Sequence, residues 1–409
     1  MDLIGRYNSP HRLHLETTKK CNLCCEHCYV SADDTYSHYE LSKIKASISL
    51  AKEKGAIRLT LTGGEFLMRR DYKDIVEYAV DIGYRNIYFI TNGILLNKKI
   101  LDWLAGLKVR NCFKTAFKTM FGKIPPITIG IAISIDGLKG NDLIRTKKSG
   151  GYLSYNETLN KIKMATRYGL YVTVNTTISN SITAAELPIL YKLLLEYKVD
   201  RWQIDQVFLS GRCSTSDKIE HQDEWIHIVK DSYKEIVKDY IARYPSDTKM
   251  KLEIVQCFRS AMLDHGFDFL DSDRVHPCAY QFGSIIVEGE GDVRFCPSLR
   301  NECEGIFNLN DKPISAESYL LNDNFKKFAT LKISDLPCVD CRYKYISHGG
   351  CRGNSVSFND NLMTKDPICC ELSPFIESDI ISLFPKELQN EYNRAIYKQG
   401  KHPEKITNF

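Results

Sequence analysis

Nowhere in its 409 residues does the chain string together about 18 apolar residues, so a membrane-spanning helix is excluded. The opening stretch MDLIGRYNSPHRLHLE turns polar within a few residues and lacks the apolar core of a secretory signal. No charge dominates either. Lys and Arg number 55 against 51 Asp and Glu, a net charge of +4, which builds no field for nucleic acid or an anionic membrane. There is no internal repeat and no low-complexity tract, and 43% hydrophobic with 26% charged residues excludes a largely disordered chain. What is left is a cytoplasmic globular protein, long enough for two to three domains at roughly 150 residues each.

Cysteine is what the sequence has in excess. There are 15, an odd number, and most of them are clustered. In a long chain without an export signal, clustered thiols are more often metal ligands or catalytic groups than disulfides. Cys21, Cys24, Cys25 and Cys28 crowd the start of the chain. Cys278, Cys296, Cys303, Cys338, Cys341, Cys351, Cys369 and Cys370 occupy its last third, while Cys112, Cys213 and Cys257 stand alone.

Between these groups, β-branched runs alternate with helical patterns. RLHLET (12–17), IRLTLT (57–62), NIYFIT (86–91), ITIGIAISID (127–136), YVTVNTTI (171–178) and RWQIDQVF (201–208) read as strands. The segments between them carry apolar residues at helical spacing, several ending near Gly. Six such units predict a parallel α/β sheet with crossover helices, an open or partial (β/α)6 barrel whose chemistry sits at the carboxyl ends of its strands. This domain is expected over 1–215, followed by a helical linker over 216–269 with a long polar helix near 221–243. A cysteine-rich domain is expected over 270–375, containing the hairpin-like SIIVEGEGDVRFCP. A C-terminal helix and polar tail complete the chain over 376–409.

Cys21, Cys25 and Cys28 follow the first predicted strand with the spacing C-x3-C-x2-C. Three thiolates on one loop suit three irons of a cubane cluster and leave its fourth iron open to a small molecule. A zinc knuckle or a ferredoxin-type electron carrier is the plainer reading, and each normally takes four protein ligands. Cys24 supplies a fourth only with awkward geometry beside Cys25. Further motifs fall at the strand ends: Gly63-Gly64-Glu65 after the second, Thr91-Asn92-Gly93 after the third, Ser134-Ile135-Asp136-Gly137 after the fourth. Glycines let backbone approach a ligand closely, and a carboxylate accepts from an ammonium group.

With CNLCCEHCY in the first βα loop, this order of motifs resembles the radical S-adenosylmethionine (radical SAM) superfamily. The resemblance implies a [4Fe–4S] cluster held by Cys21, Cys25 and Cys28, with S-adenosylmethionine at the open iron. It implies that Gly63, Gly64 and Glu65 receive the amino group of the methionine moiety, and that Asn92, Ser134 and Asp136 line the same site. Phe66 stands where the family has a proline. Asn175 and Arg145 are weaker cofactor-binding candidates, with a loop hydrogen bond or a surface charge as the alternative. His27 holds a position whose backbone meets the adenine in the family, and packing is the alternative for its side chain. The implied reaction is reductive cleavage to a 5′-deoxyadenosyl radical that takes a hydrogen atom from a substrate at the barrel mouth.

The later cysteines, Cys278-x12-Gly291-x4-Cys296, then Cys338-x2-Cys341, Cys351 and Cys369-Cys370, resemble the SPASM extension of radical SAM enzymes, which binds auxiliary iron–sulfur clusters. The family's third cysteine of the middle run is Ser347 here, and a serine oxygen is a harder, poorer ligand for such a cluster. The resemblance assigns Cys278, Cys296 and Cys351 to one auxiliary cluster, with Cys303 as a spare. It assigns Cys338, Cys341 and one of Cys369 or Cys370 to another, so one or two auxiliary clusters are implied. A zinc ribbon on Cys338, Cys341 and Cys351 is the alternative.

Two segments carry weaker signals. Residues 108–123 hold Lys108, Arg110, Lys114, Lys118 and Lys123 without an acid, and Phe113, Phe117 and Phe121 recur on one helical face. That face either docks an acidic leader peptide or packs on the barrel. Cys213 follows the sixth strand, where a thiol donates a hydrogen atom to a carbon radical or simply packs as a small buried residue. For substrate, the resemblance favours a ribosomally made precursor peptide, modified by a thioether or carbon–carbon crosslink or by epimerisation. A haem or tetrapyrrole side chain, a sulfatase awaiting maturation, and a non-catalytic iron–sulfur or zinc protein are the alternatives. The first strand begins almost at the N-terminus, leaving no room for a leader-recognition domain ahead of the barrel, which counts against a peptide substrate unless a separate protein delivers it. An electron donor such as flavodoxin or ferredoxin completes the expected partners.

Overall fold

The computed structural model describes residues 3–119, 127–267, 276–278, 282–289, 291–299 and 305–401, with the side chains of 111–119, 345–346 and 395–401 left aside. Cys303, Phe121 and Lys123, and the side chains of Cys112, Phe113, Lys114, Phe117 and Lys118, lie outside the described residues.

Six parallel strands carry the barrel: β1 (Arg12–Thr18), β2 (Arg58–Gly63), β3 (Asn86–Thr91), β4 (Thr128–Ser134), β5 (Tyr171–Ile178) and β6 (Arg201–Gln206). They pair in chain order, as the alternating pattern predicts. Their register explains the pattern. Leu15, Leu61, Phe89, Ile131 and Val172 are aligned across five strands, and each is at most 1% exposed. Ile133, Val174 and Trp202 continue a second apolar row. The alternate residues point to the opposite face, where Ser134, Asn175 and Gln203 form a polar row. The helices Leu41–Glu53, Tyr72–Asp81, Lys98–Thr119, Tyr155–Ala165 and Ser181–Glu196 make the crossovers. Asn180 caps the last of these, its Oδ1 accepting from Thr183 N at 2.8 Å.

Three features differ from the expectation. The fourth and sixth strands stop two residues early, so Ile135, Asp136, Val207 and Phe208 belong to the rim loops. The helix Lys98–Thr119 runs on through most of the basic insertion instead of ending before it. The segment 216–269 is not purely helical. After Gln222–Arg243 it contributes β7 (Lys251–Ile254), parallel to β6, and β8 (Phe258–Arg259).

The sheet also continues on its other side. β9 (Ser284–Glu288) pairs parallel with β1, and β10 (Asp292–Arg294) and β11 (Phe307–Asn308) follow it antiparallel. The expected hairpin is therefore present, and it extends the barrel sheet, giving one eleven-stranded sheet among the described residues. All five residues of β9 are buried. An aromatic cluster of Phe282, Phe295, Phe325, Phe328 and Tyr319 sits beside it, and Tyr7 from the N-terminal turn stacks on Tyr319 at 3.7 Å. The C-terminal helix Lys386–Lys401 docks Tyr392 against Phe267.

Candidate active site

The residues after β1 lead straight into the first cysteine loop, and the end of β2 lies against them. Gly64 N donates to Thr18 O at 2.6 Å and Glu65 N to Lys20 O at 2.9 Å. A Cβ on Gly63 would stand 2.1 Å from Thr18 O, and one on Gly64 2.3 Å from Lys20 O. The close approach these glycines permit is thus between two strand ends of the chain, whereas the motif alone suggested approach to a ligand. The loop is fixed from outside as well. Cys21 N donates to Asp33 O, Cys24 N to Thr146 O, and Glu26 N to Ile144 O, at 2.7 to 2.9 Å.

Glu65 is fully buried, and burial pushes its pKa up against the donors that hold it ionised. Its Oε1 accepts from Leu67 N at 3.0 Å and Thr91 Oγ1 at 2.8 Å, and its Oε2 accepts from Asn92 N at 2.8 Å. A carboxylate oxygen accepts two hydrogen bonds, so Oε2 keeps capacity for a cationic donor. Asn92 then reaches the cysteine loop: its Nδ2 donates to Asn22 Oδ1 at 2.7 Å and lies 3.9 Å from Cys21 Sγ. One chain of contacts joins the GGE carboxylate to the first cysteine. Asn22 has no motif of its own and was missed.

A second group stands beside Cys25. Asp136 is fully buried, with Arg145 Nη2 at 2.9 Å and His27 Nε2 at 3.4 Å from its Oδ2, while its Oδ1 accepts from Thr177 N at 2.9 Å. Burial pulls His27 down to about 4 against the pull of Asp136, so the imidazole is neutral at ordinary pH. Arg145 is 7% exposed, which removes the surface-charge reading. Burial alone would lower its pKa, but Asp136 and Cys25 outweigh it. His27 Nδ1 and Arg145 Nε are buried without a hydrogen-bond partner. Ser134 and Asn175 are half-buried neighbours in the polar row, at the carboxyl end of β4 and within β5.

The segment after β6 clamps the loop from the far side. Arg212 N donates to Cys28 O at 3.1 Å, and its guanidinium donates to Cys25 O at 2.8 Å and Ala32 O at 2.9 Å. Gly211 has a φ of +61°, and a Cβ there would lie 2.5 Å from Tyr29 O. Cys213 is 2% exposed, its thiol pushed up to about 12 by burial and then by Cys28. Sequence reasoning singled out the cysteine and passed over the arginine beside it, although a Gly-Arg pair at a strand-end rim is itself a signal for close approach and carbonyl binding.

In the last third, two thiol groups form. Burial pushes Cys296 up to about 11, with Cys278 adding to it, and raises Cys351 further, with Asp366, Cys296 and Cys278 adding. These three thiols therefore share one neighbourhood. Cys338, Cys341, Ser347, Cys369 and Cys370 line a cavity of about 220 Å³. Asp366, 1% exposed, links the two groups: its carboxylate accepts from Cys351 N at 2.7 Å, Cys369 N at 3.1 Å and Gln256 Nε2 at 2.6 Å. It was also missed, although Asp-Pro ahead of an apolar run is a helix N-cap signature. Arg352, buried beside Cys351, donates to Leu362 O, Thr364 O and Gly349 O. The two regions touch through Leu209 N, which donates to Ser357 Oγ at 3.1 Å.

The donor sets fit iron–sulfur clusters. Buried thiols such as Cys21 and Cys25, the latter pushed up to about 12, become thiolates only beside a compensating cation. Among the described residues no three Cys, His or carboxylate side chains converge closely enough for a single metal ion. Among the described residues, no helix is long and apolar enough to cross a membrane.

Comparison with known proteins agrees with this geometry. Residues 15–194 match the Radical SAM superfamily. The chain is 23% identical to the AdoMet-dependent heme synthase of Oleidesulfovibrio alaskensis over 370 residues, covering 87% of this chain and 85% of that one. It is 21% identical to the PqqA peptide cyclase of Bradyrhizobium diazoefficiens over 405 residues, covering 96% and 94%. Among solved structures, native anSMEcpe with bound AdoMet and Cp18Cys peptide superposes with a TM-score of 0.67 at 16% identity, covering 94% of this chain and 99% of that one.

Proposed function

We propose, from the premise that this chain carries a radical SAM domain and the fold of SPASM-type relatives, that it is an enzyme modifying a ribosomally made peptide. Cys21, Cys25 and Cys28 would hold a [4Fe–4S] cluster. Gly63, Gly64, Glu65, Asn92, Ser134, Asp136, Arg145, Asn175 and His27 would form the S-adenosylmethionine site around it. When bound, the two supply reductive cleavage to a 5′-deoxyadenosyl radical, which abstracts a hydrogen atom from substrate. Glu65 Oε2, with its remaining acceptor capacity, would receive the cofactor's ammonium group, and Asn92 keeps that carboxylate in register with Cys21. Neutral His27 and the Asp136–Arg145 pair exclude water behind Cys25. The carrying observation is the contact chain Glu65–Asn92–Asn22/Cys21, because an electron carrier has no use for an ammonium site next to its cysteines.

Cys278, Cys296 and Cys351 would hold one auxiliary cluster, and the cavity of Cys338, Cys341, Cys369 and Cys370 another. Cys213 is assigned a packing role behind the loop rather than hydrogen-atom donation, since it is almost wholly buried. Peptide as substrate is supported by the peptide cyclase relative and by the peptide-bound structural neighbour. A tetrapyrrole side chain is the second reading, supported by the heme synthase relative. Electrons would come from a flavodoxin or ferredoxin, and a separate protein would deliver a leader peptide.

Two measurements test this. The anaerobically reconstituted protein should release 5′-deoxyadenosine from S-adenosylmethionine on reduction, and none above the protein-free control rejects the radical SAM reading. Mass spectrometry of precursor peptides co-expressed with the enzyme should show a loss of two hydrogens, or chiral amino-acid analysis of the hydrolysed peptide a D-residue. Unmodified peptides together with a decarboxylated tetrapyrrole would instead select the second reading.

A further inference from the structure

The tandem Cys369-Cys370 and the serine at 347 find a common explanation in the cavity they share. We propose that this cavity holds its cluster on four thiolates, with Cys369 replacing the cysteine absent at 347 and Ser347 acting only as a hydrogen-bond donor to it. This rests on the auxiliary-cluster reading above and adds the ligand assignment that the sequence left open.

Four thiols line the space, which is about 220 Å³, among the hydroxyls of Ser347, Ser373 and Tyr343 and the carboxylate of Asp366. At about 30 Å³ per water, that is room for a polyatomic group rather than one ion. The thiols arrive from different walls. Cys338 and Cys341 come from the C-x2-C turn, and Cys369 and Cys370 from the helix Pro367–Phe375. Cys369 Sγ lies 3.7 Å from Ser373 Oγ, and Ser347 lines the same cavity. The thiol absent at 347 is thus made up by one from a neighbouring helix, on the cavity that the serine also lines. Oxygen is a poor ligand for iron–sulfur clusters, and a hydroxyl donating to a ligating sulfur is a common way to stabilise one.

The helix Pro367–Phe375 explains how adjacent residues serve one cluster. Successive helical side chains diverge by about 100°. Cys369 is 8% exposed and forms part of the inner wall, while Cys370 is exposed and approaches from the rim. Both sit in the first turn, where the helix dipole favours negative charge. Asp366 caps that turn through Cys369 N, and Pro367 at its start has no N–H to leave unpaired. The cap fixes the direction of Cys369.

The test uses the full chain with Cys21, Cys25 and Cys28 all replaced by Ala, so that only auxiliary iron is read, after anaerobic reconstitution. Iron and sulfide analysis and low-temperature electron paramagnetic resonance of the reduced protein are the readouts. In this background, C369A should lose one cluster's iron or convert its signal to a three-iron form, and S347A should keep both. The relocated thiol S347C/C369A should recover the iron, which separates lost ligation from misfolding. Retention of full iron and an unchanged signal in C369A overturns the assignment alone. Loss in S347A with retention in C369A overturns it in favour of a serine ligand. No iron at all in the background protein overturns the assignment together with the auxiliary-cluster reading.

Discussion

The two cysteine regions reach similar ends by opposite routes. In the first, the ligand candidates lie on one short loop whose peptide groups are bound by Asp33, Ile144, Thr146 and Arg212, while Asn92 and Asp136 reach its side chains. In the second, the thiols come from separate loops, turns and a helix, and one buried carboxylate, Asp366, ties the backbones at Cys351 and Cys369 together. A local site tolerates change in its surroundings and fails when its own residues change. A dispersed site depends on whatever holds its pieces in place.

The comparison can be broken most severely at the first loop. Replacing Cys21, Cys25 and Cys28 together with Ala should reduce 5′-deoxyadenosine release to background while iron in the later region remains, as read by chromatography and iron analysis. The complementary break is Asp366→Ala. It strands two buried N–H groups and an amide, so a loss of at least about 3 kcal/mol in stability is expected. Iron should then fall in the later region and be kept at Cys21, Cys25 and Cys28; equal losses at both would contradict the division. Gly64→Ala pushes a Cβ into Lys20 O and should weaken S-adenosylmethionine binding about tenfold or more by equilibrium dialysis, a change of about 1.4 kcal/mol.

Two smaller effects sharpen the picture. Arg212→Ala removes charged donors to Cys25 O and Ala32 O and should cost about 2 kcal/mol. Its first sign should be faster bleaching of the iron chromophore at the first loop, with the auxiliary signals unchanged. Cys213→Ala is the mildest. Turnover of S-adenosylmethionine and product stereochemistry should persist, and stability should drop by about 1 kcal/mol for the small void. A stalled substrate radical in that variant would restore the donor role.

The same contrast explains what could be read in advance. Six strands and their crossovers were legible because apolar rows such as Leu15, Leu61, Phe89 and Ile131 impose a period of two on each strand. The spacing of Cys21, Cys25 and Cys28 was legible because a loop carries its geometry in its own sequence. β7 was not, since Lys251–Ile254 is only four residues long, and the hairpin strand β9 gave no sign that its partner is β1, about 270 residues earlier in the chain. Arg212, Asn22 and Asp366 were invisible for a related reason. Their importance lies in whose carbonyl or amide they meet, and residue type alone does not record that.

The pairing of β9 with β1 has a practical consequence for anyone who shortens this protein. A fragment ending before residue 284 would leave the backbone of β1 as an open, apolar margin immediately ahead of the first cysteines. Unpaired margins of that kind recruit other chains, so the isolated barrel should precipitate unless something else is laid along it. Biogenesis is constrained in the same way. The earliest strand to emerge from the ribosome waits for one of the last before its hydrogen bonds are complete, and such long-separation contacts form slowly.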